Sequence, residues 1–215
     1  MPEIIKIAPD RPEMRLIARA VHIMQAGGVI AYPTETFYGL GADAENEAAL
    51  GKIFGIKGRD AGKPLPIIIG SREELAGLVE EIPAAARLLM EEFWPGALTL
   101  VFRASPRLPS RLAAGTGKIG IRVSSHPLAA LLAKSLTHPL TATSANPSGL
   151  PSCTRAEEVI RSLGDRIDAV LDGGETAGGA GSTILDVTVD PPVLLRAGVI
   201  PPALLQNTLK KAQKA

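Results

Sequence analysis

A dense basic cluster, Lys57-Gly58-Arg59 with Lys63 four residues beyond, follows a stretch that is predicted to be helical up to Ile56. Arginine forks onto phosphate oxygens and lysine supplies a compact positive charge, so these residues could bind a phosphate chain. Basic residues at the end of a helix also complement the helix dipole, and for an isolated cluster this second interpretation is favoured. The cluster alone therefore leaves a phosphate site open without establishing it.

A polar segment, Thr143-Ser144-Ala145-Asn146-Pro147-Ser148-Gly149, comes directly after the apolar residues Leu140 to Ala142. Hydroxyls, an amide and a glycine turn at a strand end can bind a phosphate, a ribose or a small polar substrate, using side chains and main-chain N–H groups. The same residues are also typical of an ordinary Asn-Pro turn. Both interpretations stay open at this point.

A third segment, Tyr32 to Gly41, brings polar and apolar residues together just beyond a predicted strand. Glu35 could be a general base or the partner of a cation. Thr34 and Glu35 could equally cap the helix that follows. Nothing else in the segment decides between these roles.

Two arginines occupy apolar surroundings. Arg122 lies inside the apolar run Ile119 to Val123, and Arg196 follows Leu194-Leu195. A guanidinium inside an apolar strand needs an anion, because desolvating an unpaired charge is costly. The anion could be an internal carboxylate, or the carboxylate or phosphate of a substrate.

Other reactive residue types do not form a recognisable site. The histidines, His22, His126 and His138, lack the spacing of metal ligands, and we predict no metal site. The lone Cys153 excludes an internal disulfide and has no adjacent histidine to activate it. The sequence contains neither a Walker-type loop nor a Rossmann glycine fingerprint, so ATP would have to bind by another architecture.

The elements that must position these residues follow from apolar periodicity and from glycine and proline stops. Helices are predicted at Pro12 to Ala26, Glu45 to Ile56, Arg72 to Glu80, Ala84 to Phe93, Leu128 to Leu136 and Arg155 to Leu163. Strands are predicted at Val29 to Tyr32, Leu65 to Ile69, Ala97 to Phe102, Ile119 to Val123, Leu140 to Thr143, Ala169 to Leu171, Thr183 to Val187 and Val193 to Leu195. This order indicates an α/β fold, and strands that follow each other without a helix indicate a mixed sheet.

Length and composition set the outer limits. The chain has 215 residues, 46% of them hydrophobic and 21% charged, which is typical of one globular domain, alone or with a small appendage. A net charge of +1 and only 3% aromatic residues argue against a surface that stacks single-stranded RNA, so any anion site must be local. We expect a cytosolic protein, since the charged N-terminus does not resemble a signal peptide and no apolar run is long enough for a membrane span.

The motifs become specific when they are taken in order. They run Tyr-Pro-Thr-Glu-Thr-x-Tyr-Gly-Leu, Lys-Gly-Arg followed by Pro-Leu, Trp94-Pro95-Gly96 with Thr99, Ile-Arg-Val, Thr-Ser-Ala-Asn-x-Ser-Gly, Ser182-Thr183 and Leu195-Arg196-x-Gly198. This ordered set resembles the YrdC family along nearly the whole chain. The chain looks like the short, single-domain bacterial form, with a catalytic domain over residues 1–200 and a C-terminal helix or basic tail over 201–215. For the tail, the solvated basic form is favoured.

The resemblance implies a single-domain twisted mixed sheet with flanking helices and a deep basic cavity. The implied activity is synthesis of L-threonylcarbamoyl-AMP from L-threonine, bicarbonate and ATP with release of pyrophosphate, helped by Mg²⁺. The implied downstream partner is the complex that transfers the threonylcarbamoyl group to a tRNA adenosine beside the anticodon. Direct binding of tRNA or double-stranded RNA by this chain stays open, and no membrane partner is expected.

Matching the family motifs residue by residue gives the expected site. The expected catalytic residues are Lys57, Arg59, Ser144 and Asn146. The same four residues, with Lys63, Thr154 and Arg196, are expected to bind ATP. The expected threonine-binding residues are Thr34, Arg122 and Ser182.

Two departures and two alternatives remain. Many relatives have Glu where this chain has Gly181, and Ser-Pro-Thr where it has Ser152-Cys153-Thr154, so the loops around Ser182 and Thr154 are expected to differ. One alternative is a double-stranded RNA or tRNA-binding protein without catalysis. The other is a paralogue that forms a carbamoyl adenylate on another substrate.

Overall fold

A computed structural model of the chain describes residues 1–58 and 62–212. Arg59 of the basic cluster and Lys214 of the C-terminal segment lie outside the described residues. The strands are β1 (Glu3–Lys6), β2 (Ile30–Pro33), β3 (Tyr38–Gly41), β4 (Ile67–Ile68), β5 (Leu98–Arg103), β6 (Lys118–Arg122), β7 (Leu140–Thr141), β8 (Thr143–Ser144), β9 (Ala169–Asp172), β10 (Thr183–Asp186) and β11 (Val193–Arg196). The helices are α1 (Met14–Gln25), α2 (Glu47–Lys57), α3 (Leu75–Leu78), α4 (Ala84–Phe93), α5 (Ser110–Ala113), α6 (Pro127–Ser135), α7 (Ala156–Leu163) and α8 (Pro202–Ala212), with a 3₁₀ turn at Gly164–Arg166.

The strands form two mixed sheets. One has five strands in the order β1-β9-β2-β3-β8, and the other has six in the order β11-β10-β5-β6-β4-β7. Each sheet combines parallel pairs, such as β2 with β9 and β5 with β10, with antiparallel pairs, such as β2 with β3 and β5 with β6. The predicted α/β class with mixed strand pairing and flanking helices is confirmed, although the strands are divided between two sheets.

The segment between β7 and β8 joins the two sheets. Sequence periodicity predicts one strand from Leu140 to Thr143, but β7 pairs with β4 in the six-stranded sheet and β8 pairs with β3 in the five-stranded sheet. The chain changes sheet at Ala142, whose N–H donates to the carbonyl of Pro66 at 2.8 Å. The polar segment that follows β8 therefore starts where the two sheets meet.

Two apolar clusters hold the sheets and helices together. The smaller one packs α1 and α6 on the five-stranded sheet, and Ile17, Met24 and Leu128 in it are fully buried. The larger one joins α2 and α4 to the six-stranded sheet through residues such as Leu50 and Leu100. Burial of such side chains stabilises a fold by about 1.5–3 kcal/mol each, so these clusters fix the frame around the site.

Most of the predicted helices are present, and α4 has the predicted bounds of Ala84 and Phe93. The helix predicted from Arg72 to Glu80 is wrong in length, because only Leu75–Leu78 is helical. The chain leaves this helix at Val79, which is extended and forms an isolated bridge with Ala104. The bridge between Val79 and Ala104 thus takes the place of the last helical turn.

The strand β3 was not predicted from the sequence, because it contains two glycines. Gly39 and Gly41 lie against the fully buried ring of Tyr32, and a Cβ built on Gly41 would be 2.9 Å from ring carbons of Tyr32. Tyr32 in turn donates its hydroxyl to the carbonyl of Thr141 at 2.8 Å. These glycines make room for an aromatic ring in the neighbouring strand.

The C-terminal segment is not a free basic tail over the part that the structure describes. Residues 202–212 form α8, in which Leu205 and Thr208 are buried. Thr208 donates its hydroxyl to the carboxylate of Glu92 on α4. The helical form of the segment is the correct one there, because Leu205 packs into the larger apolar cluster. Among the described helices, none is long and apolar enough to cross a membrane.

Candidate functional site

A cavity of about 900 Å³ is lined by residues of both sheets and by the segments that follow β2, α2 and β8. Five cationic side chains line it, from Lys57, Lys63, Lys118, Arg122 and Arg196. Within residues 1–58 and 62–212, no aspartate or glutamate lines the same cavity. A concave site that is lined by positive charges attracts and binds anions.

Lys57 organises the polar segment after β8. It is the last residue of α2 and is only 4% exposed. Its ammonium lies 2.7 Å from the carbonyl oxygens of Ser144 and Asn146, and 3.1 and 3.2 Å from their side-chain oxygens. The carbonyl of Lys57 also accepts the N–H of Ser148 at 2.8 Å. The basic cluster and the Ser-x-Asn segment, which are far apart in sequence, thus form one unit.

The helix α2 ends at Gly58. This glycine ends the helix in the left-handed conformation, with φ of 54°, where a side chain would be strained. Its Cβ position faces open space, and Gly58 lines the cavity. Gly58 therefore ends α2 at the wall of the cavity.

Arg122 enters the cavity from the end of β6 and is 6% exposed as a residue. Its Nε lies 3.2 Å from Oε1 of Glu35, which is an ion pair without hydrogen-bond geometry because the N–H is not directed at that oxygen. The other oxygen of Glu35 accepts the hydroxyl proton of Ser124. Of the roles considered for Glu35, the structure shows that of a cation partner.

Arg196 is the last residue of β11, and Ser182 directly precedes the neighbouring strand β10. Arg196 donates to the carbonyl of Ser182 from Nε at 3.1 Å and from Nη2 at 2.8 Å, and to the Ser182 hydroxyl at 3.0 Å. The hydroxyl of Thr99 on β5 lies 2.9 Å from that same Ser182 hydroxyl. Partial desolvation of the guanidinium and then the charge of Arg122 lower the pKa of Arg196, although Arg196 as a whole residue is exposed.

Gly198 sets the position of Arg196 through a close backbone approach. A Cβ on Gly198 would lie 2.2 Å from the carbonyl oxygen of Gly181 and 2.5 Å from the nitrogen of Thr183. Beside it, the N–H of Val199 donates to Gly181 at 2.9 Å. Only glycine allows this contact, which explains the glycine two residues after the arginine.

Gly181 likewise lies next to the cationic group. A Cβ there would be 3.1 Å from Nη2 of Arg196. With glycine in this position no carboxylate is placed beside that guanidinium, and the described residues give Arg196 no ion pair within 4.0 Å. The departure at Gly181 thus leaves Arg196 with Ser182 as its protein acceptor.

Thr34 and Thr36 line the cavity beside each other. The Thr34 hydroxyl donates to the carbonyl of Phe37 at 2.6 Å and accepts the N–H of Thr36 at 3.2 Å. Thr34 therefore closes a turn and does not cap a helix; Asn46 caps α2 by accepting the N–H of Ala49. The idea that Thr34 and Glu35 form a helix cap is wrong, because β3 follows them instead.

Most of the predicted site residues come together in the cavity lining, namely Thr34, Lys57, Lys63, Arg122, Ser144, Asn146, Ser182 and Arg196. Thr154 does not line it; its N–H and hydroxyl are directed at the carboxylate of Glu158, at 2.7 and 3.3 Å. Arg59 lies outside the described residues.

The prediction omitted Thr36, Thr99 and Lys118, which also line the cavity. The period of two along β6 places Lys118 on the same face as Arg122, with Gly120 between them, so strand alternation could have indicated it. Thr99 stands in the family motif with Trp94-Pro95-Gly96, but nothing in the sequence indicated its contact with Ser182, which is distant in the chain.

Titratable groups near the cavity respond to burial. Burial raises the pKa of Tyr32 well above its usual range, so its hydroxyl remains a donor. Burial also lowers the pKa of His126, while the charge of Glu35 opposes that shift. In the described chain no group of three histidine, cysteine or acidic side chains could hold a metal ion.

Comparisons with known proteins find similar sequences and a similar solved structure. A sequence model of the Sua5/YciO/YrdC family, described as "Telomere recombination", matches residues 22–198. The chain is 43% identical to the threonylcarbamoyl-AMP synthase of Pyrococcus abyssi over 89% of its own length and 56% of that protein. It is 45% identical to that of Bacillus subtilis over 86% of its length and 54% of that protein.

A solved structure, P. abyssi Sua5 complexed with L-threonine, superimposes with a TM-score of 0.92 at 41% identity, covering 96% of this chain and 60% of that one. The chain thus spans little more than half the length of these two curated relatives. The family model nevertheless matches most of the chain. The chain therefore belongs to the Sua5/YciO/YrdC family.

Proposed function

We propose that this protein condenses L-threonine, bicarbonate and ATP to L-threonylcarbamoyl-AMP and pyrophosphate. The observation that carries the proposal is one cavity in which, among the described residues, five cations and no carboxylate surround a set of hydroxyl groups. Such a lining suits three substrates that each carry an anionic group and must react with one another. The names of the curated relatives and the L-threonine in the P. abyssi Sua5 structure support the same reaction.

Arg122 is the proposed anchor for the threonine carboxylate. Its guanidinium can donate two parallel hydrogen bonds to a carboxylate, which fixes both position and orientation. Thr34 and Ser182 complete this side, and Thr36 presents a further hydroxyl at the same wall. Lysine in place of Arg122 would supply a positive charge but could not form the bidentate pair with a carboxylate.

The phosphate side is assigned to Ser144, Asn146, Lys63 and Arg196. Lys57 keeps Ser144 and Asn146 in place, since four of their oxygens surround its ammonium. Lys57 and Arg59 remain part of the proposed catalytic set with Ser144 and Asn146. Thr154 stays a predicted ATP contact, which would require a change in its bonds to Glu158.

The chemistry needs no protein nucleophile. The threonine nitrogen adds to the carbon of bicarbonate, water is lost, and a carbamate results. A carbamate oxygen then attacks the α-phosphorus of ATP in line, and the bond to the β-phosphate breaks to release pyrophosphate. Positioning and stabilisation of phosphate charge by the lining cations account for catalysis, and a cavity that excludes water protects the carbamate.

Mg²⁺ belongs to this proposal as the companion of the ATP phosphates. Magnesium prefers carboxylate and phosphate oxygens in octahedral geometry. The described lining offers hydroxyls and an amide but no carboxylate, so these residues do not form a magnesium cage of their own. We therefore assign the metal to the phosphates of the nucleotide.

We infer that the product is used by a complex that transfers the threonylcarbamoyl group to tRNA, and that the protein works in the cytoplasm. We do not assign tRNA binding to this chain. Its clustered cations line a cavity, whereas binding to a nucleic-acid backbone requires cations along an accessible surface.

The test is pyrophosphate release by the purified protein with ATP, Mg²⁺ and bicarbonate, with and without L-threonine, and with L-serine as a control. We expect release that requires both threonine and bicarbonate, and its near-complete loss in Arg59→Gln but not in the surface variant Arg19→Gln. No amino-acid dependence, together with tight RNA binding that weakens steeply with salt, would establish the RNA-binding alternative instead.

A further inference from the structure

Glu35 touches the proposed threonine anchor but does not line the cavity. It follows Thr34 in the segment after β2, and its side chain is 13% exposed beside an Arg122 side chain that is 8% exposed. Because Glu35 does not line the cavity, its carboxylate does not contact a substrate bound there. Its effect must pass through the arginine.

An ion pair lies along one edge of the guanidinium. Oε1 of Glu35 and Nε of Arg122 are both fully buried, 3.2 Å apart, and neither makes a hydrogen bond. The other carboxylate oxygen accepts the hydroxyl proton of Ser124, whose oxygen accepts the N–H of His126 at 3.2 Å. The carboxylate is thereby held at the start of α6.

The terminal nitrogens of Arg122 behave differently. They make no protein hydrogen bond among the described residues, and neither is among the fully buried partnerless atoms. Since Arg122 lines the cavity, these nitrogens are the part of the side chain that a ligand can reach. Buried polar atoms without partners are costly, so a ligand that turns the guanidinium to complete the Nε contact would be favoured.

We propose that Glu35 is a positioning residue that holds the Nε edge of Arg122 and thereby presents its two terminal nitrogens to a substrate carboxylate. The inference rests on the proposed function, which supplies threonine as that carboxylate. Ser124 serves the same purpose one step away, by fixing the second oxygen of Glu35.

Glu35 could act by neutralising the charge of Arg122 or by orienting its guanidinium, and the two roles predict opposite effects of Glu35→Gln on ligand binding. If Glu35 only neutralised Arg122, removing its negative charge would strengthen binding of an anionic ligand. If Glu35 orients Arg122, the neutral amide loses the ion pair and binding weakens. The sign of the change therefore separates the two roles.

The experiment measures binding of L-threonine and of L-threoninol, which lacks the carboxylate, to wild type, Glu35→Gln, Ser124→Ala and the surface control Glu3→Gln. For Glu35→Gln we expect the Kd for L-threonine to rise at least about tenfold while that for L-threoninol changes less than about twofold. Ser124→Ala should show the same selectivity with a smaller loss. In turnover, the KM for threonine should rise while the KM for ATP stays constant.

Unchanged or tighter threonine binding by Glu35→Gln would overturn the inference, as would an equal loss for both ligands. If Glu35→Gln fails to fold, Ser124→Ala decides by the same ligand comparison. Wild-type protein that binds no L-threonine would defeat the proposed function and this inference together. Normal wild-type binding with no effect of either variant would defeat this inference alone.

Discussion

The ammonium of Lys57 lies 2.7 Å from the main-chain oxygen of Asn146 and 3.2 Å from its side-chain oxygen. One buried cation thus determines both the path of the segment after β8 and the orientation of the amide that faces the cavity. A basic residue expected to bind phosphate is also a structural support for the neighbouring ligands. The two roles can be separated by experiment.

Replacing Lys57 by methionine should destabilise the protein by about 2–4 kcal/mol, because several oxygens of Ser144 and Asn146 lose their donor in a buried place. The matched control is Lys52→Met in the same helix, where the exposed lysine makes one bond of 2.7 Å to the carbonyl of Gly27. Urea unfolding measures both. Equal losses in the two variants would contradict the supporting role of Lys57.

Gly198→Ala should cost more than about 2 kcal/mol and weaken ATP binding, since its Cβ would be 2.2 Å from the Gly181 carbonyl oxygen. Gly55→Ala is the control, because no atom lies within 4 Å of its Cβ position inside α2. Alanine there should stabilise by about 0.5–1 kcal/mol. Thermal unfolding and nucleotide titration of both variants would test this, and a neutral Gly198→Ala would refute the close approach.

Thr99→Val removes a buried hydroxyl while keeping the shape of the side chain. Ser182 would then keep Arg196 as its partner but lose the 2.9 Å contact with Thr99. We expect pyrophosphate release to fall about tenfold with little change in stability, because the hydroxyl that orients Ser182 is missing.

The comparison variant for this prediction is Thr183→Val. That hydroxyl donates to the carbonyl of Ile200 at 2.7 Å and accepts its N–H at 3.1 Å, and Thr183 does not line the cavity. It should lower stability more than turnover. If the two variants had the same profile, the Thr99–Ser182 contact would have no special part in the reaction.

His138 gives the protein a pH-dependent contact away from the cavity. Its hydrogen bond to Asp43, at 2.9 Å, raises the pKa of the imidazole, and Glu45 lies 3.4 Å from its other nitrogen. A raised folded-state pKa stabilises fully below the ordinary histidine pKa of about 6.5, and this contribution is lost as pH rises through the raised value. The melting temperature of wild type should therefore exceed that of His138→Gln more at pH 5.5 than at pH 8.5.

The control for this effect is His22→Gln, since His22 is exposed on α1. Because the His138 side chain is 40% exposed, solvent screening keeps the effect small. A gap between wild type and His138→Gln that is the same at both pH values would contradict the contact's dependence on protonation.

Local pattern predicted the parts of the fold that local physics determines. The apolar period gave α1 and α4, and strand runs such as that of β5 needed only their own residues. β3 was not predicted, because its glycines are there to accommodate the ring of Tyr32, which lies in another strand. The division of Leu140 to Ser144 between two sheets also depends on partners that the segment itself does not contain.

The candidate site shows the same limit. Side-chain chemistry and family motifs indicated Arg122 and Ser144, and both line the cavity. The choice among roles for Glu35 required its distance to Arg122, and the support that Lys57 gives to Asn146 required an interaction between residues far apart in sequence. Such pairings are set by tertiary packing and leave no periodic signal in the chain.

The change of sheet at Ala142 has a thermodynamic consequence. Ser144 belongs to the five-stranded sheet and Arg122 to the six-stranded sheet, yet both line one cavity. A ligand held by both groups is therefore a non-covalent cross-link between the two halves of the core, and it binds only when they are assembled. Occupancy of the cavity then raises the resistance of the whole protein to unfolding, by about 2.7 kcal/mol at a hundredfold excess over Kd.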